Sequence, residues 1–452
     1  MTNMKWLYHS ISAYNPKAIT YLLLYILFAL SSCSINKKIA AQADHILLSD
    51  QSISQGHIGI SMYEPASGRY WYNYNADKYF IPASNTKLFT LYAGLKHLGD
   101  SITGVRYSIK GDSTILYPAG DPTFLHPAFP LQPVMQFLLT QKKIAYCTQM
   151  FTDGYGKGWA WDDYLAPFMP QCSEMPIYGN IARVYKLEET FKIIPSAITL
   201  HTPPYKIDIK DYELGLYRNW DRNDVFLSVA SAKPTDKKVY EIPFIPEQPA
   251  FLSDTLHKDL ELVFNAAADS LDFNDNRLMK IYSQPADSLF KFMMHQSDNL
   301  FAEQTLLMVS NEMLGYMKTG KIIDSLIAAD LQDLPQKPRW VDGSGLSRYN
   351  LFTPKSFIYI LNKMKNEFGI EKLKKILPTG GEGTLKNYFI TESSFIYAKS
   401  GTLSNNSALS GFMITKKGKL LVFSVLTNHY QSSATPVRRA VERFINTIRE
   451  QF

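Results

Sequence analysis

The chain reads as an α+β protein, an antiparallel sheet with helices packed on it, interrupted by a large, mainly β insertion. Three observations carry that reading. A strand–turn–strand pattern stands near the N-terminus, His57 to Met62 and Arg69 to Tyr74 around Glu64-Pro65-Ala66-Ser67-Gly68. Three strand-like runs and an amphipathic helix stand at the C-terminus, so both ends of the chain close one sheet. Between about residues 105 and 284 turn signals multiply and apolar runs shorten.

The elements follow in order. Lys5 and Lys17 precede an apolar run from Ala18 to Leu30, and Ser31-Ser32-Cys33 follows it. Such a run suits the h-region of an export signal and falls short of the ~20 residues a membrane span needs. The order Leu30-Ser31-Ser32-Cys33 resembles a bacterial lipobox, whose cysteine is lipidated and becomes the new N-terminus. Residues 1–33 are therefore expected to be a lipoprotein signal peptide ending at Cys33, the lipidation site, and residues 34–45 a tether. At ~0.8 kcal/mol per buried methylene, several acyl chains on one cysteine hold a protein to a membrane. The competing reading is an ordinary export signal with an incidental cysteine. In an oxidising compartment Cys147 and Cys172 then form an even pair, either a disulfide or two buried thiols.

After the hairpin, Ile81-Pro82-Ala83 leads into Ser84, and Leu88, Leu91, Tyr92, Leu95 and Leu98 repeat at helical spacing until Gly99. Ser84 thus stands in the first turn of a buried helix. Gly120-Asp121-Pro122, Asp153-Gly154, Pro203-Pro204 and Pro243 to Pro249 punctuate the β-rich insertion, 105–284, with no internal repeat or low-complexity tract. Residues 46–104 and 285–452 are read as the unit it interrupts. In the second of these, Phe395 to Ser400, Ala408 to Ile414 and Leu420 to Leu426 read as strands. Thr435-Pro436 caps a last helix through Val437, Val441, Phe444, Ile445 and Ile448.

Composition narrows the function. The 452 residues are 46% apolar and 19% charged, with net charge +6. No basic tract carries interleaved aromatics, which argues against a nucleic-acid partner. The nine histidines show no H-E-x-x-H or clustered ligand spacing, so no metal or other cofactor is expected.

Three short motifs supply chemistry. In Ser84-Asn85-Thr86-Lys87 the serine and lysine share one face of a helix N-terminus. A lysine whose amine is neutral part of the time can take the serine proton, and burial or nearby cations make it so. Alone, such spacing is more often a helix cap beside an unrelated lysine. Two decoys exist: Ser34 lies in the tether, and Ser288 starts a core helix. In Ser297-Asp298-Asn299 the hydroxyl can relay a proton and the Asn299 amide can hold a carbonyl. The bland alternative there is a polar helix junction with Glu303 facing solvent. Lys318-Thr319-Gly320 lies between helical stretches and reads as a loop. Lys399-Ser400-Gly401-Thr402 instead emerges from the strand Phe395 to Ala398, where an exposed N–H can receive an oxyanion. Gly401 would let substrate approach the backbone closely.

In this order and spacing the motifs resemble the class C low-molecular-mass penicillin-binding proteins, the penicillin-binding protein 4 type of D-alanyl-D-alanine carboxypeptidase/endopeptidase. Further matches are Gly120-Asp121-Pro122, Ser297 to Glu303, Asp342-Gly343-Ser344-Gly345-Leu346-Ser347-Arg348, Gly380-Gly381-Glu382-Gly383-Thr384-Leu385 and Ser407 to Gly411. The resemblance covers about 80–125 and 290–430. It implies a serine β-lactamase/transpeptidase-like domain acting on peptidoglycan stem peptides in the periplasm, with β-lactams as covalent inhibitors. It also implies roles. Ser84 attacks the penultimate D-Ala carbonyl, Lys87 takes its proton, and Ser297 with Lys399 relays a proton to the leaving group. Asn299 orients the peptide, Ser400 and Thr402 receive the carboxylate, and the N–H groups of Ser84 and Thr402 form the oxyanion hole. Two departures stand out: Ser400 replaces the usual threonine, and Asn387 falls near a usual arginine. The alternatives are a β-lactamase or esterase on the same fold, and a wall-binding lipoprotein without turnover.

Overall fold

The computed structural model describes residues 35–148, 151–187, 190–202, 213–230, 239–257, 260–264 and 278–452. Cys33 lies outside the described residues. The segment read as a tether is instead packed: residues 35–43 form helix α1, which continues into a π-helical turn at Asp44–Leu48. Ile39, Ala43 and Leu47, four residues apart, make one apolar stripe and are fully buried.

The first hairpin forms as expected, β1 (His57–Glu64) against β2 (Arg69–Tyr74), with Gly68 at the positive φ the turn requires. A 3₁₀ turn at Ala83–Thr86 feeds α2 (Lys87–His97), and Gly99, again at positive φ, ends it.

The second region begins at Ser101, a little earlier than its turn signals suggest. It runs through β3 (Ser101–Lys110), β4 (Ser113–Pro118), α3 (Pro133–Thr140) and β5 (Lys143–Thr148). Then come β6 (Ile181–Leu187), β7 (Thr190–Ile194), β8 (Thr199–His201), β9 (Glu213–Arg218), β10 (Asp224–Ala230) and β11 (Val239–Pro243). Helix α4 (Gln248–Leu256), β12 (Leu260–Phe264) and β13 (Met279–Pro285) complete it. The strands form a five-stranded sheet, β12-β5-β4-β3-β13, and two three-stranded sheets, β11-β6-β7 and β8-β10-β9. Entry strand β3 pairs antiparallel with exit strand β13, so the region is closed by its own ends.

The chain then returns through α5 (Ala286–Gln296), α6 (Asn299–Leu314), α7 (Thr319–Ala329), α8 (Pro354–Phe368) and α9 (Ile370–Ile376). Lys318-Thr319-Gly320, read as a loop, is the start of α7 with Lys318 as its N-cap residue. Strands β14 (Ile396–Leu403), β15 (Asn406–Ile414) and β16 (Leu420–Asn428) precede the last helix, α10 (Ala434–Gln451). Its N-cap residue is Ser433, so Thr435-Pro436 lies inside the first turn rather than before it.

Both chain ends build one antiparallel sheet, β14-β15-β16-β1-β2. One face carries α1 and α10 through Ile39, Leu47, Val437, Phe444 and Ile448. The other carries α2, α5, α6 and α8 through Leu88, Phe89, Phe290, Phe301, Phe357 and Leu361. Helices on both faces explain why β15 and β16 are buried almost throughout rather than in alternation. Strand β14 is an open edge. No helix among the described residues is long and apolar enough to cross a membrane.

Candidate active site

The Ser84 turn sits where α2 meets the open edge. Lys87 is fully buried, and its Nζ lies 3.0 Å from Ser84 Oγ, 2.6 Å from Asn299 Oδ1 and 2.8 Å from the Ser344 carbonyl. Burial pulls its pKa down from 10.5 to about 8, although Asp298, Glu303 and Asp342 pull the other way. A neutral amine has two N–H donors and one lone pair. The Ser344 carbonyl and Asn299 Oδ1 only accept, so they take both donors and leave the lone pair for the Ser84 hydroxyl proton. The Asn299 orientation is fixed from its other end, where Nδ2 donates to Phe168 O at 2.8 Å. Both ends of that amide therefore have protein partners, and Asn299 serves Lys87 first rather than standing free for a peptide.

Ser297 occupies the corner between α5 and α6 at a φ of 55°, a left-handed conformation that non-glycine residues rarely hold. Asp298 caps α6 by accepting from Phe301 N at 2.9 Å. The strain aims Ser297 Oγ at Lys399 Nζ, 2.9 Å away, and that amine also donates to Ser400 O at 2.7 Å. Lys399 is fully buried. Burial, then the charges of Lys87 and Arg438, hold its pKa well below the ordinary lysine value.

Alternation along β14 sorts the third motif. Lys399 and Gly401 face the Ser84 turn, and Ser400 and Thr402 face α10. Ala398 N–H donates to Pro378 O on the open side, so the N–H groups two and four residues on, at Ser400 and Thr402, point the same way. Gly401 turns out to be needed for a different neighbour than substrate. A Cβ there would stand 2.8 Å from Pro82 O and Ser84 N, so its absence lets the strand press against the nucleophile turn. Asn85, fully buried, ties the two: its amide nitrogen suits Lys399 O at 2.8 Å and its oxygen Ser410 N at 3.2 Å and Oγ at 2.7 Å.

Several participants escaped the sequence reading. Glu303 is buried, not solvent-facing, and accepts from Gly343 N at 3.0 Å and Ser344 N at 2.7 Å. It thereby holds the loop whose carbonyl receives Lys87. Burial and then Asp342 raise its pKa to about 7. Asp342 ties the same loop through Gly345 N (2.9 Å), Ser347 N (2.6 Å) and Asn350 Nδ2 (2.6 Å), and takes Trp159 Nε1 at 2.9 Å. The D-G-S-G turn chemistry marked this loop but not its partner Glu303. Phe168 and Trp159 carried no signal. On the α10 side an Arg438 nitrogen donates to Thr402 Oγ1. Asn387 is exposed. Cys147 and Cys172 are both free, buried thiols. Among the described residues no group of His, Cys, Asp and Glu side chains could hold a metal ion.

A family model described as D-Ala-D-Ala carboxypeptidase 3 (S13) matches residues 39–190 and 263–448. Penicillin-sensitive carboxypeptidase A of Dictyostelium discoideum is 21% identical over 459 residues, 87% of this chain and 86% of that one. D-alanyl-D-alanine carboxypeptidase DacB of Haemophilus influenzae is 29% identical over 165 residues, 34% of each chain. The fold matches the crystal structure of penicillin binding protein 4 (dacB) from Haemophilus influenzae with TM-score 0.69 and 20% identity, over 91% of this chain and 99% of that one. A second structure of that protein, complexed with a β-lactam, matches with TM-score 0.65 and 20% identity over 88% and 98%.

Proposed function

Because the chain belongs to the D-Ala-D-Ala carboxypeptidase 3 (S13) family and is a serine carboxypeptidase/endopeptidase of peptidoglycan, we propose that it works through an acyl-enzyme on Ser84. The observation that carries the proposal is a buried, low-pKa Lys87 whose Nζ lies 3.0 Å from Ser84 Oγ.

Ser84 Oγ attacks the carbonyl carbon of the penultimate D-Ala while Lys87 takes its proton. The oxyanion is received by N–H groups of Ser84 and of Thr402 on the open edge. Collapse breaks the peptide C–N bond, and the proton passes through Ser297, held by Lys399, to the departing amine. Asn299 keeps Lys87 in place, and its second amide hydrogen remains for the peptide. Ser400 and Thr402 take the terminal carboxylate. Water then attacks the ester carbon and frees Ser84. Residues 35–100 and 286–452 carry this chemistry, and 101–285 is an insertion that braces it through Phe168 and Trp159.

An enzyme of peptidoglycan is exported, and β-lactams bind it. We infer further that Cys33 is lipidated and holds the protein to a membrane facing the periplasm. Radiolabelled palmitate should then enter the protein in cells and be lost in Cys33→Ala.

Fluorescent penicillin on the full-length, detergent-solubilised protein tests the catalytic proposal, with the adduct mapped by peptide mass spectrometry. A stable adduct on the Ser84 peptide, absent in Ser84→Ala, is expected, together with release of D-Ala from muropeptides. No adduct on folded protein would overturn the proposal, and rapid loss of label with hydrolysed drug would favour a β-lactamase.

A further inference from the structure

Helix α10 carries four arginines, and three have an acidic partner. Arg439 pairs with Glu442, Arg443 with Asp50 and Arg449 with Glu450. Arg438 makes no ion pair among the described residues. It is half-buried, it lies over the Tyr388 ring at 6.0 Å, and its Nε is buried with no hydrogen-bond partner. A cation left so is costly unless an anion completes its surroundings.

Its position says which anion. Arg438 donates to Thr402 Oγ1 and shares with Ser400 the lining of one small cavity between the β14 edge and α10. It therefore meets the face of β14 that presents both motif hydroxyls, Ser400 and Thr402. Lys399 lies on the opposite face of the strand with its ammonium directed at Ser297, so the open edge runs between two cations. Tyr388 and Tyr430 are the titratable neighbours of Arg438 on its own side, and among the described residues no carboxylate pairs with it. A hydroxyl that already accepts from a guanidinium has its own proton left to donate, and donates it more strongly for being polarised.

We propose that Arg438 supplies the positive charge that binds the substrate's terminal carboxylate, acting beside and through Thr402. The inference rests on the carboxypeptidase reading and adds a specificity residue to it. Thr402 orients the carboxylate, and Arg438 makes the site prefer a charged terminus over a neutral one of the same shape. A charge-assisted hydrogen bond contributes roughly twice what a neutral one does, which sets the size of that preference.

The experiment compares two peptides on the full-length enzyme, one ending in D-Ala-D-Ala and one in its C-terminal amide, by kcat/KM. Turnover of the acid peptide by the wild type establishes the reaction itself; its absence would defeat the carboxypeptidase reading before Arg438 is reached. Given turnover, Arg438→Gln should lower the acid-over-amide ratio about 10- to 100-fold, with the loss in KM more than in kcat. Arg438→Lys should recover part of it. An arginine that merely clamps β14 to α10 would lower both peptides together and leave the ratio at the wild-type value, and that outcome overturns the proposal. If Arg438→Gln does not fold, the lysine variant decides alone: a loss confined to the acid peptide supports the proposal, and an equal loss on both refutes it.

Discussion

The two regions of this protein both bury charge, and they do so to different ends. Around Ser84, the ammonium groups of Lys87 and Lys399 and the carboxylates of Glu303 and Asp342 each stand within one contact of a serine or of the loop that holds one. In the insertion, fully buried Arg218 donates to Pro243 O at 2.9 Å, Asn219 O at 2.6 Å and Arg222 O at 3.1 Å, and reaches no nucleophile. Arg218 replaces hydrogen bonds that three carbonyls would otherwise lack. Lys87 does the same for Ser344 O, yet its third partner is a hydroxyl that can give up a proton. Burial of charge marks chemistry only where the moved proton has somewhere reactive to go.

The sharpest way to break this contrast is to remove each cation. Lys87→Ala should slow acylation by penicillin about 10²- to 10⁴-fold, the range for losing a positioned proton acceptor, with a smaller loss of melting temperature than Arg218→Ala, since it orphans one backbone carbonyl rather than three. Arg218→Ala should do the reverse. Orphaning buried carbonyls costs about 1–3 kcal/mol each, so unfolding should shift clearly while the folded fraction labels within about threefold of wild type. Stopped-flow labelling and thermal unfolding read the two. A rate loss in Arg218→Ala beyond tenfold, with folded protein, would dissolve the distinction.

Next in size is pH. Lys87 accepts a proton only when neutral, and its pKa is lowered to about 8. Acylation should rise about tenfold per pH unit well below that value and level off above it, so about fiftyfold separates pH 6 from pH 8. The stability sign is opposite to that of a salt-bridged lysine, whose pKa is raised on folding. Between about 8 and 10.5 the unfolded chain holds more protons on this lysine than the folded one does, so this residue's cost to folding fades as pH rises through that window. A flat rate profile from pH 6 to 9 would mean that Lys87 is not the acceptor.

A smaller effect is expected one shell out. Glu303→Ala leaves Gly343 N and Ser344 N without acceptors and frees the loop carbonyl that receives Lys87. Acylation should fall about 10- to 30-fold, or about 1.4–2 kcal/mol, the lower part of what a charged hydrogen bond contributes, because only the loss passed through Ser344 O reaches Lys87. Glu303→Gln, which keeps one acceptor, should fall less.

How far the sequence announced these residues depends on how local their geometry is. Ser84 and Lys87 share one turn, so their spacing showed in the sequence and needed only its helical context and the two other motifs to set it apart from the decoys, and the β14–β15–β16 run showed its strands by composition. The α1 stripe of Ile39, Ala43 and Leu47 was equally local; Lys37-Lys38 and the nearby lipobox masked it. The N-terminus of α7 at Lys318 was missed because a single turn without a Ser, Thr, Asp or Asn cap gives no boundary signal. Glu303 was placed on the wrong side because α6 is buried nearly all round, and a helix with no polar face offers no periodicity to say where one side chain points. Asn299 and Phe168 are 131 residues apart, and Trp159 and Asp342 are 183 apart. No pattern within either segment encodes such a meeting; only the closed insertion, set by β3 pairing with β13, brings it about.

Trp159 therefore gives the finest test of how the regions divide their work. Its Nε1 donates to Asp342 Oδ2 at 2.9 Å, a side-chain bond from the insertion to the loop behind Lys87. Trp159→Phe removes that donor and keeps most of the aromatic packing. Asp342 retains Gly345 N, Ser347 N and Asn350 Nδ2, so the loop keeps three of its ties. The net loss of one such bond is about 0.5–1.5 kcal/mol, and only the part transmitted through Ser344 O bears on Lys87. Acylation should fall about two- to fivefold, with melting temperature nearly constant. A drop beyond tenfold would mean that the insertion sets the lysine's position rather than bracing it, and the boundary between a chemical region and a structural one would have to be redrawn through Trp159.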